Sequence, residues 1–235
     1  MSSRRRLTVV VIVFLVALAA HGQSIVPVAG GGTDDGHAAT DVGLFGVAGL
    51  ALDGAGNLYI VEQLANQVRK VSPDGTISTV AGNGGAGFGG DGGRARRATL
   101  NHPTTIAIDT NGDLYIADHD NGRIRRIDAA SGIISTFAGL GKERPDETLG
   151  DGGQATDAVL RGPWAVTISR GSLYVSEDGY LGNRIRKIDL TTKTITTIAG
   201  AIDGTQGDSG DGGPATAAVL NSPDGVLLDL SLIHI

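Results

Sequence analysis

The sequence predicts an all-β chain assembled from repeated four-stranded antiparallel sheets, and three observations carry that prediction. First, an apolar-Ala-Gly triplet recurs at Val28-Ala29-Gly30, Val80-Ala81-Gly82, Phe137-Ala138-Gly139 and Ile198-Ala199-Gly200, with successive glycines 52, 57 and 61 residues apart. A fixed period in this range marks a repeat architecture. Second, each interval holds the same landmarks in the same order. Gly90-Asp91-Gly92-Gly93, Gly150-Asp151-Gly152-Gly153 and Gly210-Asp211-Gly212-Gly213 each lead to a Leu nine residues after the Asp, and Asp35 to Leu44 keeps that distance in a degenerate first copy. Third, no window of about 11 residues outside the N-terminal segment carries a glycine-free apolar stripe at helical spacing.

Composition narrows the field further. The 235 residues include 38 Gly, nine aromatic residues, seven Pro and no Cys, with 40% apolar residues and a formal charge of −6. Glycine without a G-X-Y period excludes a collagen-like chain, and the apolar content argues against disorder. The absence of Cys removes thiol catalysis, disulfide scaffolds and cysteine-ligated metal centres. Of the 38 Gly, 24 fall in four stretches, 30–44, 82–100, 139–160 and 200–220, so the excess belongs to one recurring segment.

Residues 1–22 stand apart. Arg4, Arg5 and Arg6 precede an apolar stretch over 7–20, and Ala17 and Ala19 have the spacing of a cleavage site after Ala19, with a second option before Gln23. This predicts a secretory signal peptide over 1–22, since the stretch is shorter than the ~20 residues of a spanning helix. A secreted or periplasmic location follows, with no membrane insertion once the signal is removed. Without that segment, which holds three Arg and no acid, the net charge is −9. So acidic a body is a poor match for nucleic acid or anionic lipid.

Within the second copy, 104–109, 113–117, 123–128 and 132–138 are short runs rich in Ile, Thr, Tyr and Phe, separated by turn residues such as Thr110-Asn111-Gly112 and Asp120-Asn121-Gly122. Four strands per copy predict an antiparallel meander. Leu-Tyr pairs recur at Leu58-Tyr59, Leu114-Tyr115 and Leu173-Tyr174, and basic strands at Val68-Arg69-Lys70-Val71, Ile124-Arg125-Arg126-Ile127 and Ile185-Arg186-Lys187-Ile188. Apolar residues three apart break clean alternation in the basic strands. Sheets covered on both faces would explain this, with Arg stems lying on apolar surface and their charged heads at the edge. Four-stranded sheets packed around an axis make a β-propeller.

The stretch from Leu100-Asn101-His102-Pro103 through Gly112-Asp113-Leu114-Tyr115-Ile116-Ala117-Asp118 to Asn121-Gly122-Arg123-Ile124-Arg125 resembles the NHL-repeat consensus. The chain is similar to the bacterial secreted, Gly-Asp-Gly-Gly-containing variety of that family over about residues 28–230. The resemblance implies a six-bladed propeller. The copies also depart from one another: Glu62 and Ala65 stand where the second copy has Asp118 and Asn121, and an insertion with Tyr180 and Leu181 separates Glu177 from Asn183-Arg184. The repeat region spans 28–235, with blades at about 28–82, 83–139 and 140–200 and part of a fourth at 201–235. That fourth copy supplies its glycine-rich segment and a first strand ending near 226–229. Since a ring needs its terminal blades to meet and propellers have ~4 to 8 of them, the sequence is expected to be a piece of a chain continuing for two or more blades. The alternative is an assembly in which chains complete one another. Either way, 226–235 would present an exposed strand edge with few charges.

Alternating strands place the inter-blade segments and the turns between second and third strands on one face. That face is expected to carry an acidic rim of Asp91, Asp151, Asp208 and Asp211 with Asp118, Asp120 and Asp178. Asp118, Asp120, Asp91, Asp151 and Asp211 are candidate metal ligands, because Ca²⁺ takes oxygen ligands from flexible loops. Asp118-His119-Asp120-Asn121-Gly122 resembles the start of a calcium loop without its terminal Glu. Asp before Gly also stabilises turns unaided, which is the competing explanation. His37, His102, His119 and His234 occupy unlike repeat positions and predict no zinc site. No phosphate loop and no nucleophile elbow is present. Arg94, Arg96, Arg97, Asp178 and Tyr180 are candidates for a partner-binding face. Asp118 with Arg123, echoed by Glu177 with Arg184, reads as a surface ion pair that sets register.

Two functional classes follow. The first is an extracytoplasmic, non-catalytic binding or scaffold module whose loop face meets a protein or glycan, with no catalytic residues and no cofactor apart from a possible Ca²⁺. The second is a propeller enzyme with a metal in the central channel, because six-bladed relatives include gluconolactonase-like and amidating-lyase-like proteins. That second class needs acids or His at the starts of several innermost strands. Those positions read Asn101-His102-Pro103, Arg161-Gly162-Pro163 and Asn221-Ser222-Pro223, an incomplete set.

Overall fold

The computed structural model of the chain describes residues 35–141, 149–178 and 182–228. The expected signal peptide, Tyr180, Leu181, His234 and residues 229–235 of the fourth copy lie outside them. Among the described residues, three separate four-stranded antiparallel sheets follow one another. Blade 1 holds β1 (Val47–Leu52), β2 (Leu58–Glu62), β3 (Gln67–Val71) and β4 (Ile77–Ala81). Blade 2 holds β5 (Pro103–Ile108), β6 (Leu114–Asp118), β7 (Arg123–Ile127) and β8 (Ile134–Ala138). Blade 3 holds β9 (Pro163–Ser169), β10 (Ser172–Glu177), β11 (Arg184–Asp189) and β12 (Ile195–Ala199). The strands of blade 2 start and end within two residues of the sequence expectation. No helix among the described residues is long and apolar enough to cross a membrane.

The blades stack face to face with their first strands innermost, β5 packing against both β1 and β9. Every residue of β6 is buried. Leu114 and Ile116 enter the core shared with blade 1, while Tyr115 and Ala117 enter the core shared with blade 3. The basic strand obeys the same rule. In β7, Ile124 belongs to the blade 3 side and Ile127 to the blade 1 side, so each face takes one Ile. Burial of each such Ile removes apolar surface from water and stabilises the stack by roughly 2–3 kcal/mol.

The inter-blade segment works as a clasp. After β4 it turns through Gly82, whose N–H donates to Ala95 O at 3.1 Å, and it runs along the outer edge of blade 2. There Gly92 N donates to Ile134 O at 2.8 Å, Ile134 N to Gly93 O at 3.0 Å, and Ala95 N to Gly132 O at 3.0 Å. The next segment repeats these bonds with Gly152, Gly153, Ala155, Lys193 and Ile195. Each outermost strand is thereby covered, which protects an edge that would otherwise template pairing. Two glycines of the repeat are fixed by space as well as by backbone angle. A Cβ on Gly139 would lie 2.2 Å from Gly122 O, and one on Gly150 would lie 2.7 Å from Ala158 Cα, with φ of +93° and +80°.

The heads of Arg69, Arg125 and Arg186 are buried and not at the edge, and this corrects the sequence reading for them. Arg125 is completely buried, with Nη1 3.2 Å from Asp118 and Nη2 2.5 Å from Asp91 of the clasp. Arg186 repeats this with Glu177 at 3.2 Å and Asp151 at 2.6 Å, and Arg69 with Glu62 at 3.4 Å and Asp35 at 2.8 Å. The expected Asp118–Arg123 surface pair is therefore wrong in partner and in place. Asp118 and Arg123 are opposed in the ladder, and Arg125, two residues on and on the same face, lies between the acid and Asp91 of the clasp. Arg123 instead lies over the Phe88 ring at 3.7 Å and donates to Asn121 O and Leu140 O. Glu177 does approach Arg184 Nε at 3.6 Å, but both are buried, not at the surface. The expected acidic rim is also corrected, since Asp91 and Asp151 are held by arginine. Likewise 223–228 form no strand, because no second strand among the described residues pairs with them.

Burial pushes the Asp118 carboxyl up, against the hydrogen bonds from Asn101 N and Asn121 and the Arg125 charge. Burial alone would also raise Asp91, but Thr136 and Arg125 outweigh it and hold the carboxyl below its usual 3.8. Removing one partner of a buried pair strands the other, at a cost of about 3–5 kcal/mol. Arg125→Ala is expected to lose that much stability in urea titration, whereas the exposed Arg96→Ala stays within about 0.5 kcal/mol. A carboxyl depressed on folding stabilises above its unfolded value and loses that contribution as pH falls through the folded value. Asp91→Asn should therefore shrink the loss of stability measured as the pH is lowered below 3.8.

Candidate functional site

With the glycine-loop acids engaged, the face that receives the clasps presents a different group. His102 precedes β5, and its Nδ1 lies 2.5 Å from Asp120 Oδ2. Asp120 belongs to the turn His119–Asn121 between β6 and β7, and its Oδ1 lies 2.6 Å from His119 Nδ1. His119 Nε2 in turn lies 3.1 Å from Asp178 Oδ1, just past β10 in blade 3. The result is a line His102–Asp120–His119–Asp178 that crosses from blade 2 to blade 3. A neutral imidazole has one N–H, so His119 hydrogen-bonds both carboxylates only when both ring nitrogens carry protons. The Trp164 ring meets His119 edge-on at 5.4 Å between centroids.

Local backbone explains how these residues reach one place. The residue before each innermost strand adopts a left-handed conformation, Gly46 at +63°, His102 at +46° and Gly162 at +61°, and Ser222 at +46° repeats it in the fourth copy. That turn lifts His102 out of the ladder and leaves its side chain half exposed. The His102 N–H is held by Asn66 Oδ1 at 2.9 Å, a bond from blade 1. On the blade 3 side, Thr104 and Thr105 hydroxyls donate to Trp164 O at 2.5 and 2.8 Å. Burial would raise the Asp120 carboxyl, but hydrogen bonds with His119 and His102 prevail and hold it below 3.8.

The structure separates most of the residues singled out by sequence. Asp91 and Asp118 meet at Arg125, Asp151 sits on Arg186, Asp120 lies in the histidine line, and Asp211 and Asp208 are exposed on the fourth copy's segment. Among the described residues, no group of three or more His, Asp or Glu is placed to hold one metal ion. Arg94, Arg96 and Arg97 line a recess of about 520 Å³ with Val80, Ala95 and Gly132, at the outer rim between blades 1 and 2. Arg94 donates there to Ser131 O at 2.9 Å. Asp178 lies on the histidine face instead. Sequence reasoning weighed His102 and His119 only as metal ligands and passed over Trp164. A signal existed for each, since His102 stands where two copies have Gly, His119 where the others have Gln63 and Asp178, and Trp164 where the others have Ala48, Thr104 and Asp224.

Comparison with known proteins agrees with this architecture. Residues 86–145 match the Teneurin NHL domain model. Human Teneurin-4 is 37% identical over 100 residues, covering 37% of this chain and 4% of that protein. NHL repeat-containing protein 2 of Gallus gallus is 34% identical over 98 residues, covering 42% of this chain and 13% of that protein. The chain thus spans a small part of these relatives. A solved auxiliary nutrient binding protein from Bacteroides thetaiotaomicron superposes with a TM-score of 0.57 at 18% identity, over 78% of this chain and 43% of that one. One from Bacteroides ovatus gives 0.56 at 17% identity, over 77% and 43%. At such identity these two speak for the fold alone, that of a partial β-propeller. Residues 86–145 are thus similar to an NHL domain, and the described residues share the architecture of a partial β-propeller with the solved neighbours.

Proposed function

We propose that this chain is a non-catalytic binding or scaffold module, which holds a protein or glycan partner on the histidine face. The observation that carries this reading is that His102, His119, Trp164 and Asp178 differ from their counterparts in the other blades and gather at one mouth. An indole beside imidazoles and carboxylates offers an apolar plate with polar groups at its margin, the composition of an interface anchor. A metal-dependent enzyme would need a converging donor set, and the histidine line is extended instead. The proposal includes membership in a six-bladed, exported propeller of the bacterial Gly-Asp-Gly-Gly variety, supported by Arg4–Arg6 with the apolar stretch over 7–20 and by the repeated glycine loops.

Trp164→Ala is expected to weaken capture of a protein or glycan from purified extracytoplasmic panels by about 30-fold, the effect of losing an interface anchor near 2 kcal/mol. His102→Gly should weaken it as well while leaving the melting temperature unchanged or higher, because Gly46 and Gly162 fill that backbone position elsewhere. Partner capture that survives both changes would remove this face from the function. Export predicts a mature N-terminus at Ala20 or Gln23 by mass spectrometry of the secreted protein, and an intact Met1 in that fraction would contradict it.

A further inference from the structure

At the opposite mouth, blades 2 and 3 leave a cavity of about 570 Å³ between the β5–β6, β9–β10 and β11–β12 turns. This is the size of pocket that encloses a small ligand. Its charged lining is Asp109, Asp113, Arg126, Arg170 and Lys193. Both acids are already engaged. Asp109 accepts from Asn111 N at 2.8 Å and Asp113 N at 2.9 Å, and Asp113 accepts from Arg126 Nε at 2.9 Å and Ala129 N at 2.8 Å. Arg126 is therefore neutralised by Asp113. Arg170 is exposed and makes no hydrogen bond or ion pair among the described residues. Lys193 donates to Leu190 O and lies 4.7 Å from the Phe137 ring centre, with no carboxylate in contact.

The backbone supplies a second, independent observation. Arg170 and Lys193 both have positive φ, +48° and +62°. Lys193 stands where blades 1 and 2 have Gly75 at +85° and Gly132 at +68°. Arg170 opens a two-residue turn where blades 1 and 2 use the longer turns at 53–57 and 109–113. A left-handed conformation costs an L-residue free energy that Gly avoids, and such strain in non-Gly residues gathers at ligand sites. Both departures are cationic and both reach one cavity, in a chain of net charge −6.

We propose that this cavity binds a small anionic ligand of sugar size, with Arg170 and Lys193 as its charge partners. The inference is independent of the histidine face, and neither depends on the other. Titration calorimetry of the whole chain with glucose 6-phosphate, glucuronate and uncharged glucose tests it, the first two separating a phosphate from a carboxylate ligand. Saturable, salt-weakened binding of at least one anion and none of glucose is expected. Arg170→Gly and Lys193→Gly should each weaken it about tenfold, the scale of one charge-assisted hydrogen bond. Arg170→Gly should also keep or raise the melting temperature, because the strain is relieved. Absence of binding to both anions at millimolar concentration overturns the proposal, as does equal binding of glucose. Undiminished affinity in Arg170→Gly overturns it too, since that side chain supports no contact whose loss would confuse the result.

Discussion

Each blade is organised around one arginine whose guanidinium is enclosed between a strand acid and a clasp aspartate: Arg69, Arg125 and Arg186. The strand acid alone would be an uncompensated buried charge, and the arginine alone would be worse. Paired, they still leave guanidinium N–H donors that need an acceptor from outside the sheet, and the Asp of the glycine loop supplies one. That requirement pins the loop to the blade it precedes. The pinned loop then covers the outer edge strand and delivers the chain to the next innermost strand, so the ion triad, the edge protection and the blade-to-blade step are one device repeated.

This device decides which repeated residues are open to function. Asp91 and Asp151 look from sequence like exposed oxygen donors, and in space each carries an arginine. Of the glycines on either side, Gly90 and Gly150 are required by the approach of Ala98 and Ala158 in the same loop, and Gly92 and Gly152 by φ of +79° and +80°. What recurs is structural here, because recurrence is what the packing demands of every blade. Residues that do not recur, among them His102, His119, Trp164, Arg170 and Lys193, lie at the two mouths of the blade 2 and blade 3 junction.

The legibility of the sequence divides along the same line. Strand limits in blade 2 followed from turn residues and β-branched runs, since both are local preferences that the stacked sheets reinforce. The ion partner of Asp118 did not follow. In linear sequence Arg123 and Arg125 are equivalent basic residues, and only the side from which the clasp returns tells which one is buried. The first strand of the fourth copy was misread for a related reason, because a strand is a relation to its neighbour and its composition alone does not make one. The histidine line was hidden by treating His102 and His119 as unmatched in sequence, although their turns are adjacent once β5 and β6 pair.

Left-handed residues allow structural and functional departures to be told apart. Asn66 and Asn183 also have positive φ, +54° and +40°, yet each explains itself. Their Oδ1 atoms accept the N–H of His102 and Ser222 in the following blade at 2.9 Å, so the strain is offset by a bond that joins blades. Blade 2 has Gly122 at that position and lacks this side-chain latch. Its junction with blade 3 is bridged instead by His119 with Asp178 and by the two threonine hydroxyls on Trp164 O. The junction that gave up the repeated latch is thus the one where unlike residues took over the joining, and it is there that a blade-to-blade contact is free to become a binding surface.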